Sequence, residues 1–171
     1  MAKQPQPSPG ELLGHHVKYD IDQMVASLQM LGNVKVPQEW RPQDGGQKAL
    51  DNALMESFYL HARALFEFFK KSRGGRKYTD ATYKPFKGVD ISTWVKKLNN
   101  QVAHLLDGRT ADDNLKIGDQ DRIDMLHALG NEVEVFKKAL KPEYKSIDIP
   151  SIPKITIQAS GQNATNAVQH T

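Results

Sequence analysis

Between residues 18 and 142 apolar side chains return every three or four positions, the spacing that gathers them on one face of an α-helix. In YDIDQMVASLQMLG, Ile21, Met24, Val25, Leu28 and Leu31 keep this spacing. Asp20 stands where an N-cap would, with Gln23 three positions on, and Gly32 suits the position after the last turn. The next segment, NVKVPQEWRPQDGG, is broken by two Pro and two Gly and reads as a connector. A long second helix is expected from about Gln47 to Ser72, stopped by Gly74 and Gly75.

Residues 74–90, GGRKYTDATYKPFKGVD, form a longer connection than is usual, and such loops are either functional or disordered. A third helix, capped by Asp90 or Ser92, carries Trp94, Leu98, Val102 and Leu105 and stops at Gly108. The fourth begins near Asp119 and carries Ile123, Leu126, Leu129, Val133, Phe136 and Leu140; Lys137 and Lys138 suit its C-terminal dipole, and Pro142 ends it. Four amphipathic segments with almost no strand signal predict an all-α fold, a four- to five-helix bundle over residues 18–142. Residues 1–17 are expected to be a disordered leader, the first ten holding three Pro, two Gln and one Gly. Residues 143–171 are expected to be an extended or disordered tail, in which KITIQ alternates like a short strand and Ser160 to Thr171 is polar.

At 171 residues the chain is long enough to bury a core without staples. It has no cysteine, which excludes thiolate catalysis, Cys–zinc sites, Fe–S clusters and disulfides. MAKQPQPSPG has no apolar core, so no signal peptide is expected in it, and no apolar run reaches the roughly 20 residues that span a bilayer. A cytoplasmic protein with no membrane partner is expected. A net charge of +3 permits an anionic partner without demanding one.

The polar residues of the long helix divide by phase. At 100° per residue, Asn52, Glu56, Arg63 and Glu67 fall within a sector about 60° wide, while His61 sits in the middle of the opposite, apolar side. Met55, Tyr59, Leu60, Ala62, Ala64 and Phe66 flank the stripe, making the helix apolar almost all round. Such a helix is usually the central one. Asn52, Glu56, His61 and Arg63 are therefore expected to be buried polar groups, the stripe as an ion-pair network and His61 as a core histidine bonded to a neighbour. In the third helix His104 lies about 150° from the apolar face, beside Asn100 and Lys97.

Three histidines on three helices, His61, His104 and His127, raise the question of a metal. Their phases diverge, and the Glu56–His61 spacing is not the Glu-x-x-His of di-iron bundles, so no metal and no cofactor is expected. KKSRGGRK places Lys70, Lys71, Arg73, Arg76 and Lys77 at the end of the long helix, followed by Tyr78, Tyr83 and Phe86. Cations interleaved with aromatics suit phosphate contact and base stacking, so RNA or another polyanion is a candidate partner for this run. The same cations also suit a helix C-terminus. No Gly-rich phosphate loop, G-x-S-x-G elbow or H-E-x-x-H helix occurs.

NNQVAHLLDGR resembles the motif of HEPN-domain proteins, in which Arg, a polar residue, three variable residues and His lie on one helix. Asn99 holds the Arg position, Asn100 the polar position and His104 the His position. The surrounding residues 50–109 also resemble a group of uncharacterised bacterial helical proteins. The resemblance implies an all-α bundle, often dimeric, and a metal-independent ribonuclease in which Arg stabilises charge at the scissile phosphate and His handles the proton. The missing Arg departs from that pattern. Lys96, Lys97 or Arg109 would have to substitute, and Lys lacks the planar fork of Arg. The resemblance with this departure implies an inactive or altered version. The chain is thus expected to be a non-catalytic helical bundle acting by self-association, as a homodimer, or by partner binding. The alternative is a ribonuclease or RNA-binding protein using His104 with Asn99, Asn100 and a basic neighbour.

Overall fold

The chain enters its first helix at Ser8. The Ser8 hydroxyl accepts the Glu11 N–H at 3.2 Å while the Glu11 carboxylate accepts the Ser8 N–H at 2.7 Å, a reciprocal capping box with Pro9 in the first helical position. The computed structural model describes residues 8–37, 45–71, 74–102, 116–156 and 167–168. Helix α1 runs continuously through Pro9–Glu11, a π-helical stretch Leu12–Val17 and Lys18–Met30. It starts well before the Asp20 cap expected from sequence, and Leu13 and Val17 are buried. The disordered leader is corrected over residues 9–17, which are helical and part of the core. Leu31 ends α1 and Gly32 follows with φ +76°, the left-handed turn expected there.

Helix α2, Gly45–Lys70, is the centre of the bundle: α1, α3, α4 and the 3-10 turn Gly75–Lys77 all pack against it. Helix α3 spans Ser92–Val102, with the Asp90 carboxylate accepting the Ser92 N–H, and α4 spans Asp119–Ala139. Two cross-links set α1 antiparallel to α2, because their partners run in opposite directions along the chain. Asp20 meets His61 and Ser27 meets Ser57. The fold is all-α. The described strand is confined to Ile155–Thr156 paired antiparallel with Ala167–Val168.

The core gathers Leu13, Ile21 and Met24 of α1, Phe58, Leu65, Phe66 and Phe69 of α2, Leu98 of α3, and Met125, Leu126, Leu129 and Phe136 of α4, each less than 2% exposed. Burying side chains of this size contributes roughly 1.5–3 kcal/mol each, which is what holds helices of this length together. Phe69 and Phe136 meet edge to face with centroids 5.3 Å apart, joining the C-terminal ends of α2 and α4. Ile123, expected on the inner face of α4, is only half-buried; Arg122, Met125 and Glu132 occupy that face instead.

The segments outside the expected helices are also built into the bundle. The 74–90 connection is ordered by Tyr78, Tyr83 and Phe86, all buried, and by an isolated bridge between Thr79 and Leu140. A Cβ at Gly74 would collide with the Phe68 carbonyl oxygen, so the turn after α2 closes only on glycine. After a 3-10 turn at Pro142–Tyr144 the chain runs outside helix and strand over residues 148–154, yet it belongs to the core: Ile149 and Ile152 are buried, and Tyr144 and Ile147 pack against the same cluster. Among the described residues no helix is long and apolar enough to cross a membrane.

Candidate functional site

The four polar residues singled out on α2 separate. His61 is buried on the side facing α1, and its Nδ1 lies 2.7 Å from an Asp20 carboxylate oxygen while the Tyr19 ring packs edge-on against it at 5.4 Å. It is the neighbour-bonded core histidine expected from its phase. Burial of the opposite stripe does not hold: Asn52 and Glu56 are exposed and Arg63 is half-exposed. Burial on α2 begins only at Phe58, which leaves Asn52 and Glu56 on its uncovered N-terminal half. Arg63 Nε and Lys71 Nζ both donate to Glu67, at 3.2 and 2.6 Å, an exposed i, i+4 chain. The Lys71 ammonium, then Arg63, holds the Glu67 carboxyl below its ordinary range. Such pairs are worth a few tenths of a kcal/mol.

The HEPN-like positions lie toward the end of α3. Asn99 is exposed and Asn100 half-buried, while His104 and Arg109 lie outside the described residues. Lys97, a candidate stand-in for the missing Arg, is already engaged: its Nζ donates to the Asp121 carboxylate at 2.7 Å, tying α3 to α4. The Gly118 N–H donates to the same carboxylate at 2.9 Å. Partial burial of Asp121 works to raise its pKa, but these two donors overcome it and hold the group below the usual carboxylate range.

In the basic run, Lys70, Arg76 and Lys77 are exposed, Lys71 is bound to Glu67, and Arg73 lies outside the described residues. The aromatic half of the expected surface is corrected. Tyr78, Tyr83 and Phe86 are turned into the core, 3%, 6% and 8% exposed, and present no faces for base stacking. Two of them, Tyr83 and Phe86, are held inward by Glu132 of α4, a residue the sequence reading did not single out. Glu132 stands three positions after Leu129 and four before Phe136, on the apolar face, and is 4% exposed. Its carboxylate accepts the Tyr83 hydroxyl and, at 2.7 Å, the Phe86 N–H. Phe86 is held there at φ +52°, a left-handed conformation costly for an aromatic residue. Burial first, then the hydrogen bond to Glu132 and its charge, push the Tyr83 phenol well above its ordinary range.

Arg122, also on the inner face of α4, reaches the Tyr59 hydroxyl at 3.0 Å, the Ile117 carbonyl at 3.4 Å and the Asp119 carboxylate. Each of these buried polar groups finishes on a partner within the chain.

A groove of about 770 Å³ opens between α1, α4 and the extended segment, lined by Val25, Gln29, His127, Asn131, Ile152 and Lys154 among others. At its edge Ser151 Oγ lies 2.6 Å from the Glu134 carboxylate, and Lys137 Nζ donates to both, at 2.9 and 3.2 Å. Ser151, Lys137 and Glu134 have the residue types of a hydrolytic constellation, but the charges are wrong for one. Hydrogen bonding from Ser151, and then from Lys137, keeps Glu134 ionised and below its ordinary range. A carboxylate so stabilised is a poor base, and an ammonium that donates to the hydroxyl cannot deprotonate it. The cluster fastens the extended segment to α4. Among the described residues no group of His, Asp and Glu is placed to hold a metal ion. His61 lies buried on α2 and His127 exposed on α4, in keeping with their divergent phases.

Comparison with family models, with curated proteins and with solved structures gives no match for this chain. The class the geometry defines is an all-α bundle with internally closed polar contacts.

Proposed function

We propose that the protein is a non-catalytic helical bundle that acts by self-association or by binding a partner. The observation that carries this is the closure of its buried polar groups. Asp20 with His61 and Glu132 with Tyr83 and Phe86 each satisfy one another, and the half-buried Lys97–Asp121 pair does the same at the α3–α4 seam. Catalytic groups are held ready for a substrate, with protonation states tuned to a task. These groups instead join elements distant in sequence: α1 to α2, the 74–90 connection to α4, and α3 to α4. The Ser151 cluster supports the same reading, since its protonation pattern fastens a segment and disarms the hydroxyl.

The test is incubation of purified protein with a mixed RNA substrate, with and without EDTA, beside a His104→Ala variant. The RNA is expected to remain intact in every lane. EDTA-resistant cleavage that disappears in His104→Ala would overturn the reading in favour of a metal-independent ribonuclease.

A further inference from the structure

Two lysine-rich segments far apart in sequence meet at one end of the bundle. Residues 70–77 carry five basic side chains and no acid; residues 137–145 carry four lysines and one acid, Glu143. The rest of the chain holds more Asp and Glu than Lys and Arg, so the basic excess belongs to these two segments. They are brought together by the backbone. The Lys141 N–H donates to the Tyr78 carbonyl at 3.0 Å and the Asp80 N–H to the Ala139 carbonyl at 2.9 Å. Lys141 Nζ donates to the Lys77 carbonyl at 2.9 Å, and the Tyr144 ring meets Tyr78 edge-on at 5.4 Å.

We infer that this composite basic pole binds the phosphodiester backbone of a nucleic-acid duplex, an inference that rests on the reading of the protein as a partner-binding bundle. Lys70, Arg76, Lys77, Lys138 and Lys145 are exposed. None of the five forms an ion pair among the described residues. Asp80 and Asp90 carry part of the local counter-charge, facing Lys145 and Lys70 respectively, and leave the balance positive. The C-terminal ends of α2 and α4 both lie here, and their dipoles favour cations at the pole in the free protein. Dipole compensation accounts for cations in the last turns, Lys70 or Lys138. It does not account for Arg76, Lys77 and Lys145, which lie beyond those turns on separate loops.

The kind of nucleic acid follows from what the surface lacks. Single strands are held by stacking bases on exposed rings; here Tyr78, Tyr83 and Phe86 are buried, and the half-buried Tyr144 ring is packed edge-on against Tyr78. A rigid pole of separated cations matches a backbone of regularly spaced phosphates, read by charge and not by sequence.

The test is fluorescence anisotropy with a short labelled duplex of mixed sequence at low salt. A DNA arm and an RNA arm identify the source, and a single strand and anionic phospholipid vesicles serve as rival ligands. Two double reversals, Arg76→Glu with Lys77→Glu and Lys138→Glu with Lys145→Glu, address the two segments separately. Each is expected to weaken duplex binding about tenfold or more and to lower the log–log salt slope by about 2. Lys35→Glu, beside the start of α2 and some 39 Å of helix away by its rise per residue, is expected to leave affinity within about twofold. Where a reversal lowers the melting temperature, alanine versions of the same pairs carry the comparison. Absence of duplex binding, equal binding by the reversed variants, or preference for the single strand or the vesicles would overturn the inference. Such results would leave the non-catalytic reading standing; cleavage of the RNA probe would overturn that reading instead.

Discussion

The Tyr83 hydroxyl donates to the Glu132 carboxylate across 49 residues of sequence, inside the core, and this contact decides what the 74–90 connection is. Without it the connection is a glycine- and lysine-rich loop carrying aromatics. With it, the aromatics become part of the interior.

Burial and the Glu132 charge oppose ionisation of Tyr83, so its folded-state pKa stands above the unfolded value of about 10. The contribution is fully present below pH 10 and is lost as pH rises, because only the unfolded chain then releases the proton. Stability is expected to fall by up to about 1.4 kcal/mol per pH unit from this group above pH 10. Tyr83→Phe is expected to be less stable at neutral pH by about 1–3 kcal/mol, through the lost partner of a buried carboxylate, and to show a shallower alkaline limb. Urea denaturation at pH 7 through 11 measures both.

The Lys97–Asp121 pair gives the opposite pH signature. The folded-state pKa of Asp121 is depressed, so its contribution is present above the unfolded value of about 4 and is lost as pH falls below it. Asp121→Asn is expected to flatten the acid limb of the stability profile between about pH 4 and pH 2, with little change in the alkaline limb. Lys97→Met is expected to reproduce most of that flattening, by circular dichroism at fixed urea.

Asp20 and His61 join α1 to α2 at 2.7 Å with side chains 26% and 11% exposed. A double-mutant cycle with Asp20→Ala and His61→Ala is expected to return a coupling of about 1–3 kcal/mol. Additive single effects would show that the two side chains act independently.

Ser8→Ala is expected to cost about 1 kcal/mol, a typical value for a lost N-cap, and to increase amide exchange as far as Val17. Hydrogen exchange confined to the first turn would instead place the start of α1 later than Ser8.

How much of this was legible in the sequence depends on the range of the interaction responsible. The apolar spacing of α2 is local and strong, and it gave both the helix and its central place. The inward phase of His61 was equally readable. The residues of the capping box, Ser8-Pro9-Gly10-Glu11, stand in the sequence too, but they went unread because the proline-rich composition around them pointed to disorder. Glu132 could be found from its phase between Leu129 and Phe136, although nothing local names Tyr83 and Phe86 as its partners. The burial of Ile149 and Ile152 had no periodic signal, since prolines at 150 and 153 keep that segment extended. Asn52 and Glu56 were misplaced because apolar neighbours along a helix do not tell whether another helix lies over the stripe between them.

The claim at the centre of this account is that the buried polar groups serve the fold and not a reaction. Charges kept for chemistry usually cost stability, and removing them tends to stabilise. Equilibrium urea unfolding of Glu132→Met tests this directly, because the change leaves the Tyr83 hydroxyl and the Phe86 N–H buried without partners. The account predicts a loss of about 2–5 kcal/mol with an unchanged denaturant slope. Stability equal to or above that of the parent protein would contradict it.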